Sequence, residues 1–340
     1  MFDVAIVGSG PAGATCATFC ARAGLRTLLL EREKFPREKV CGDCLNPSCT
    51  PVLERLGVAH RVRELPHGKL RRVDFIAIGG KTISVDLPDD AEIAVKRGSF
   101  DQLLMQCATD AGAEVREGFT VSQIAPNESW KVSGDEARVL VAADGRNSSV
   151  ARALGLLPRI EKERVALQTH LPLPRDFGDR VVLQFLPEGY SGQAPVSESE
   201  LNLCLVGKPS TIASLKSWAE ANFALTTNHQ WRTITPLRRR AISPAHQRLL
   251  LVGDAARVVE PFTGEGIYYA LRSGELAAEA MIAERLESYA RAHEELYHGR
   301  LWINRIARTA VLSPHLTSTL MKMNLLPPRI LRLLTSKIIL

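Results

Sequence analysis

Val4-Ala5-Ile6-Val7-Gly8-Ser9-Gly10-Pro11-Ala12-Gly13 is the stretch that decides the fold of this chain. Four consecutive apolar residues bounded by glycine read as a strand buried on both faces of a parallel sheet. The glycine-rich turn behind them leads into small and apolar residues up to Arg22-Ala23, where Gly24 reads as a helix stop. Leu25 to Leu30 is then a second strand, completing a βαβ unit of about thirty residues. A pyrophosphate needs backbone N–H groups aimed at it and the positive end of a helix dipole nearby, and this turn supplies both. Gly8 permits the tight turn, Gly10 lets the backbone approach the phosphates, and Pro11 and Ala12 open the helix. Gly13 allows that helix to pack on the strand. Glu31, eighteen residues beyond Gly13 and followed by Arg32, stands where a carboxylate accepts from the ribose hydroxyls. The fingerprint is that of a dinucleotide site; it does not choose between NAD and FAD.

Around this unit lies a chain of 340 residues, 45% hydrophobic and 24% charged, the balance of a globular protein with room for two domains. The N-terminus enters its first strand without the basic lead-in of a secretory signal, which predicts a cytoplasmic protein. No apolar run approaches the roughly 18 to 20 residues needed to cross a bilayer. Seven cysteines, an odd number in a large chain, argue against a disulfide scaffold. Cys41-x-x-Cys44 with Cys49 nearby admits a metal or a redox pair, but no second Cys or His pair follows at zinc spacing. The expectation is no metal and ordinary packing.

The net charge of +6 belongs to one end. From Leu296 to Leu340 there are seven basic residues (Arg300, Arg305, Arg308, Lys322, Arg329, Arg332, Lys337) and no acid, leaving the remainder of the chain at −1. Trp302, Ile306, Leu312, Leu325, Leu331 and Leu334 are interleaved with them. Such a segment suits an anionic membrane surface, or else a helical cap packed on the body. Nucleic acid is not expected, for no recognised module is present and aromatic residues for stacking are few.

Farther along, Thr50-Pro51 reads as the N-cap and first turn of a short helix closed by Gly57, and Ser99-x-x-Gln102 as a capping box for a helix over 100–111. From Val73 to Pro88 strands alternate around Gly79-Gly80, the pattern of a hairpin in a second, mostly antiparallel sheet. Val139 to Ala143 is another buried strand, and strands recur over 181–186, 201–206 and 249–252. The expected architecture is α/β: a three-layer ββα, Rossmann-like FAD-binding domain (1–72, 96–160 and 243–295) interleaved with a mostly antiparallel β substrate domain (73–95 and 161–242). A basic helical C-terminus (296–340) follows.

Two later stretches settle the cofactor. Val139-Leu-Val-Ala-Ala-Asp144-Gly145-Arg146-Asn147-Ser148 resembles the second FAD fingerprint of the aromatic hydroxylase superfamily, although Ala151 stands where that fingerprint usually carries Arg. Gly253-Asp254-Ala255-Ala256 with Pro261-Phe262-Thr263-Gly264-Glu265-Gly266-Ile267 resembles the third. The resemblance implies FAD, with Asp254 on the ribityl chain and the 264–267 turn at the flavin pyrimidine edge, where helix N–H groups stabilise the charge of the reduced ring. Asp144 admits a purely structural role as well, capping its own turn.

Phe35-Pro36-Arg37-Glu38-Lys39-Val40-Cys41-Gly42-Asp43 resembles a segment of the geranylgeranyl reductase family and of the flavin halogenases within that superfamily, and the run from Pro261 to Leu271 is closer to the reductases than to the hydroxylases. This resemblance implies Arg37, Cys41, Gly42 and Arg97 near the flavin, and Cys41 and Tyr190 as candidate proton donors. The family's Tyr-x-Trp-x-Phe-Pro motif is kept here only as Tyr190 and Pro195, with Gly192 and Ala194 replacing two large aromatics. The pocket is therefore expected to be reshaped to admit something bulkier than an isoprenoid chain, and the substrate class expected overall is apolar: isoprenoid, lipid-like or polyketide-like. The Trp-x-Trp-x-Ile-Pro signature of flavin halogenases is absent. The expected reaction is double-bond reduction by flavin hydride. NAD(P)H would be a transient donor, since no second nucleotide fingerprint exists. A monooxygenase using NAD(P)H and oxygen is the enzymatic alternative, and a non-catalytic lipid carrier on the same fold the remote one.

Overall fold

The computed structural model describes residues 1–88, 92–159 and 164–326. Strand Phe2–Val7 lies between two parallel neighbours, Thr27–Leu30 and Asp135–Ala142; Val4 registers with Thr27 on one side and Val139 on the other. Glu114–Arg116 and Leu249–Leu251 extend the parallel set at its two ends. Ala245–His246 and a meander through Ile124–Pro126 and Trp130–Val132 complete eight strands. The central strands are buried on both faces, which is why they are written almost entirely in Val, Ile, Leu and Ala.

Helices Pro11–Arg22 and Gly266–Ile282 pack together on one face of this sheet. Their contact is backbone-close: a Cβ at Gly274 would collide with the Ala12 carbonyl, so only glycine allows this approach. The first helix stops where expected, with Gly24 at φ +83°. Two expected caps are displaced. The 50–57 helix runs Thr50–Arg55 with Cys49 as its N-cap, because a 3₁₀ turn over Pro47–Cys49 already feeds into it. The next helix begins at Arg97 rather than after Ser99, its N-cap being extended Lys96; Arg97 binds Asp101 one turn on, and that pair fixes the first turn in place of a capping box.

The second sheet has seven strands, in the order Arg232–Ile234, Val165–Pro172, Glu200–Gly207, Gly189–Pro195, Arg180–Leu186, Arg72–Ile76 and Thr82–Asp86. All neighbours are antiparallel except Arg180–Leu186 beside Arg72–Ile76. A small third sheet joins Cys44–Leu45, Glu92–Val95 and His67–Leu70. Helices Ser288–Tyr297, Leu301–Leu312 and Pro314–Lys322 are the last elements among the described residues. The last two lie against the seven-stranded sheet, with Val311 and Met321 in the same core as Phe75, Phe185 and Tyr190. The described part of the C-terminal segment is thus a helical cap. Arg329, Arg332, Lys337, Leu331 and Leu334 lie outside the described residues. Among those described, no helix is long and apolar enough to cross a membrane.

Candidate active site

The glycine turn has the geometry its residues require. Gly8 sits at φ +103°, and a Cβ there would press within 2.6 Å of the Ala143 carbonyl oxygen. A Cβ at Gly13 would overlap the Gly8 carbonyl, so this glycine holds helix on strand. At Gly10 the added atom would meet nothing nearer than Arg37 Nη2 at 3.7 Å. Gly10 is the N-cap of a helix with no side-chain cap, which leaves the first-turn N–H groups open to an anion. Glu31 is buried, accepting from Ser9 N–H at 2.8 Å and Glu33 N–H at 3.0 Å, so its carboxylate also braces the turn. Arg32, by contrast, is exposed and pairs with Glu33, outside the cleft.

Four cations gather behind the turn. Arg97 holds the fully buried Asp101 in two parallel bonds of 2.8 and 2.7 Å, and Arg37 Nη2 reaches the same carboxylate at 3.0 Å. Arg37 Nη1 is buried without a hydrogen-bond partner, a donor suited to an anionic group. Lys39 and Arg146 stand close by, and Arg146 Nη2 binds Asp254 at 2.8 Å. Burial, then the positive charges of Arg97 and Arg37, push the Lys39 ammonium down to about 8. Neither Lys39 nor Asp101 was singled out from the sequence: Asp101 pairs with Arg97 one turn earlier and with Arg37 far upstream, and the charges around Lys39 come from Arg97, Asp254 and Arg146 as well as Arg37.

The second and third fingerprints divide between site and scaffold. Asp144 accepts through one oxygen from Ser149 N–H (2.6 Å), Ser149 Oγ (2.7 Å) and Val150 N–H (3.1 Å), capping the helix Ser149–Ala153. Gly145 (φ +81°), Gly253 (φ +55°) and Asp254 face the cleft. So do Pro261, Gly264, Gly266 and Ile267, and Cβ atoms added at Gly264 or Gly266 would stand in open space. Glu265 points the other way. Fully buried, it accepts from Tyr269 OH (3.0 Å), Asn304 Nδ2 (3.1 Å) and Arg300 Nη1 (3.3 Å), tying the C-terminal helices to the turn. Burial nevertheless raises its carboxyl above the usual range.

From this turn a cavity of about 360 Å³ runs across the seven-stranded sheet to the C-terminal helices. Val73, Phe75, Leu183 and Phe185 form its sheet side, and Ile303, Ile306, Ala310 and Met321 its roof. Phe262 projects from the turn into an aromatic cluster, 5.2 Å from Tyr190 in edge contact and 5.9 Å from Phe185. Gly192 and Ala194 line the same wall as Tyr190, so the missing aromatics of the sequence motif leave their volume to the cavity. Cys41, Gly42 and Asp43 stand at the end near the glycine turn. The Cys41 carbonyl is pinned by Gln168 Nε2 and Asn202 Nδ2, both at 2.9 Å, while burial raises its thiol above the ordinary range. Tyr190 is raised further, again by burial. Behind Cys41, Asp43 Oδ2 meets His170 Nε2 at 3.0 Å, a pair the sequence reading did not anticipate. All seven cysteines are free thiols.

Comparison with known proteins agrees with this geometry. The family model described as FAD binding domain matches residues 1–175. A menaquinone reductase of Mycobacterium tuberculosis is 32% identical over 329 residues, covering 82% of this chain and 76% of that one. The digeranylgeranylglycerophospholipid reductase 2 of Methanopyrus kandleri is 29% identical, covering 84% and 78%. Among solved structures, a triple mutant of the flavin-dependent brominase Bmp2 superposes with a TM-score of 0.79 at 21% identity, covering 100% of this chain and 95% of the other. At that identity the likeness speaks for the fold alone.

Proposed function

This chain belongs to the FAD-binding domain family and is an FAD-dependent oxidoreductase, and we propose that it reduces a carbon–carbon double bond of an apolar, isoprenoid-like molecule. The observation that carries the reading is the cavity: apolar walls over most of its length, with thiol, carboxylate and amide groups gathered where it meets the glycine turn and the 261–267 turn. An oily substrate fits the walls, and a polar end fits the group where charge moves. The two relatives, named as reductases of menaquinone and of a digeranylgeranylglycerophospholipid, point the same way.

In this reading Gly10 to Gly13, Glu31 and Arg37 hold the adenosine and pyrophosphate part of FAD, and Asp254 with the turn from Pro261 to Ile267 holds the rest. Arg97 and Lys39 add positive charge beside them. Arg32 and Glu265 support from outside, through the surface and through Asn304. When bound and reduced by its electron donor, FAD would supply the hydride chemistry, two electrons and one proton for one carbon of the double bond. The chain must supply a proton to the other. Cys41, kept as a neutral thiol by burial and held in place through its own carbonyl, is the donor we assign, and Tyr190 orients the substrate from the sheet wall. NAD(P)H serves as a transient donor of electrons, docking without a nucleotide fold of its own. An anionic bilayer is the source such a substrate implies.

The test is anaerobic incubation of the flavin-loaded protein with NADPH and detergent-dispersed geranylgeraniol, followed by mass spectrometry. A product two mass units heavier is expected. An oxygenated product formed with matching oxygen uptake in air would replace the reductase by a monooxygenase. A protein that retains no flavin would point to a carrier.

A further inference from the structure

We propose that the helices Leu301–Leu312 and Pro314–Lys322 seat this protein on an anionic membrane, and that their inner face is the gate through which a lipid substrate reaches the cavity. The inference rests on the apolar-substrate reading above, and names the surface that delivers such a substrate.

The two helices have two faces with different work. Inward, Ile303, Ala310, Thr317 and Met321 line the cavity. Their position is fixed from behind: Asn304 is bonded to Glu260 N–H and Glu265, and Ser318 Oγ accepts from Ile78 N–H at 2.9 Å. Outward, Trp302, Arg305, Ile306, Thr309 and Leu312 recur at three- and four-residue steps and are exposed, which places them on one stripe of the first helix. Leu316, Thr319 and Met323 continue it on the second. Trp302 is 43% exposed, Leu316 59% and Met323 63%. Of the exposed large hydrophobic side chains among the described residues, all but Met1 and Ile282 lie between Trp302 and Leu325. A concentration of this kind on a folded surface marks a contact with something apolar.

Charge selects the partner. The segment carries Arg305 and Lys322 on its exposed side and no acidic residue from Leu296 to the end of the chain. Apolar side chains set among bases with no acids complement anionic lipid headgroups, whereas the rest of the chain is close to neutral. The helices are too short to span and are held flat by their inner contacts, so they lie in the interface. Ile306 both lines the cavity and is exposed, which puts the cavity mouth within the stripe itself. A lipid leaving the bilayer there exchanges one apolar surface for another without crossing water.

The experiment is flotation of the flavin-loaded full chain with vesicles of phosphatidylglycerol, and with vesicles of phosphatidylcholine. Wild type is expected to float with the first and at least tenfold less with the second. The variant Trp302→Glu/Leu316→Glu/Met323→Glu should stay at the bottom with its flavin content and melting temperature unchanged. Equal flotation of the triple variant, or none by wild type, overturns the proposal; so does a concentration-dependent dimer abolished by the same three changes, which would make the stripe a contact between copies. Quenching by brominated phosphatidylglycerol locates the contact: wild-type tryptophan emission should fall, and Trp302→Phe should float yet lose that response. Flotation without any Trp302 quenching would assign docking to another face. Failure to reduce geranylgeraniol in detergent would strike the proposed reaction and leave these vesicle results standing.

Discussion

Asn304 donates through Nδ2 to Glu265 Oε2 at 3.1 Å, and its Oδ1 accepts from Glu260 N–H at 2.8 Å. One buried amide thus clamps the last helices of the chain to both ends of the turn from Glu260 to Glu265. Replacing Asn304 by Ala strands a buried carboxylate oxygen and a backbone N–H. Each such loss costs about 1–3 kcal/mol, so the variant should melt several degrees lower, as followed by circular dichroism. Flavin should also be retained more weakly, because Gly264 and Gly266 follow directly from the loosened turn. A variant with unchanged flavin content would show that the turn stands without its clamp.

The three glycines of the fingerprint should separate folding from binding. Gly13→Ala places a Cβ onto the Gly8 carbonyl, so the first helix must move off the sheet and soluble protein should be lost. Gly10→Ala adds an atom whose nearest neighbour is Arg37 Nη2 at 3.7 Å. The protein should fold with a near-normal melting temperature in the absence of flavin, yet show a flavin absorbance reduced tenfold or more after purification. If both variants bind flavin normally, the turn does not carry the cofactor.

Much of this was readable in local sequence. Strand, turn and helix from Val4 to Arg22 are adjacent in the chain, and the glycine roles follow from backbone sterics that no distant residue alters. The same holds for the hairpin around Gly79-Gly80. What escaped reading depends on tertiary partners. The Asp101 carboxylate, which with Arg97 fixes the turn where Ser99 looks like a cap, is also met by Arg37 from far earlier in the chain, and Glu265 looks like a flavin contact until Asn304 arrives from 39 positions later. The Lys39 environment and the Arg164–Glu260 ion pair likewise join residues that no periodicity links. The reductase motif's two missing aromatics acquired a place only once Gly192 and Ala194 were found on the cavity wall.

Glu92 gives the pH dependence a definite sign. Burial raises its carboxyl from the ordinary value of 4.5 to about 7. Between those values the folded protein binds more protons at this site than the unfolded chain does, so the contribution is full below pH 4.5 and is lost as pH rises through 7. Glu92→Gln cannot titrate. Its melting temperature relative to wild type should therefore climb as pH goes from 4.5 to 8. A difference that stays flat across this range would mean that the carboxylate is solvated in the folded state.

Cys41 and Tyr190 can be ranked by turnover. If the Cys41 thiol delivers the proton, Cys41→Ala should lower kcat by roughly 10²-fold or more while leaving flavin content and KM nearly unchanged. Tyr190→Phe keeps the ring against Phe262 and removes only the hydroxyl, so its main effect should fall on KM. The opposite ranking in steady-state assays would transfer the donor role to Tyr190.

Gly192 tests the shape of the cavity independently of the chemistry. A Cβ added there would meet Leu183 Cδ2 at 3.8 Å and Cys204 Cβ at 4.0 Å, ordinary contacts, so the position is open to a side chain. Gly192→Ala should behave as wild type. Gly192→Phe carries a ring into volume that the wall now leaves to the substrate, from a strand of the seven-stranded sheet rather than the sheet that carries the proposed nucleotide turn. Flavin content should be preserved, while kcat/KM for a long polyprenyl substrate falls tenfold or more and a short, single-isoprene substrate is spared. Equal losses on both substrates would place the side chain's effect at the reacting end; no loss on either would put the substrate along a different wall.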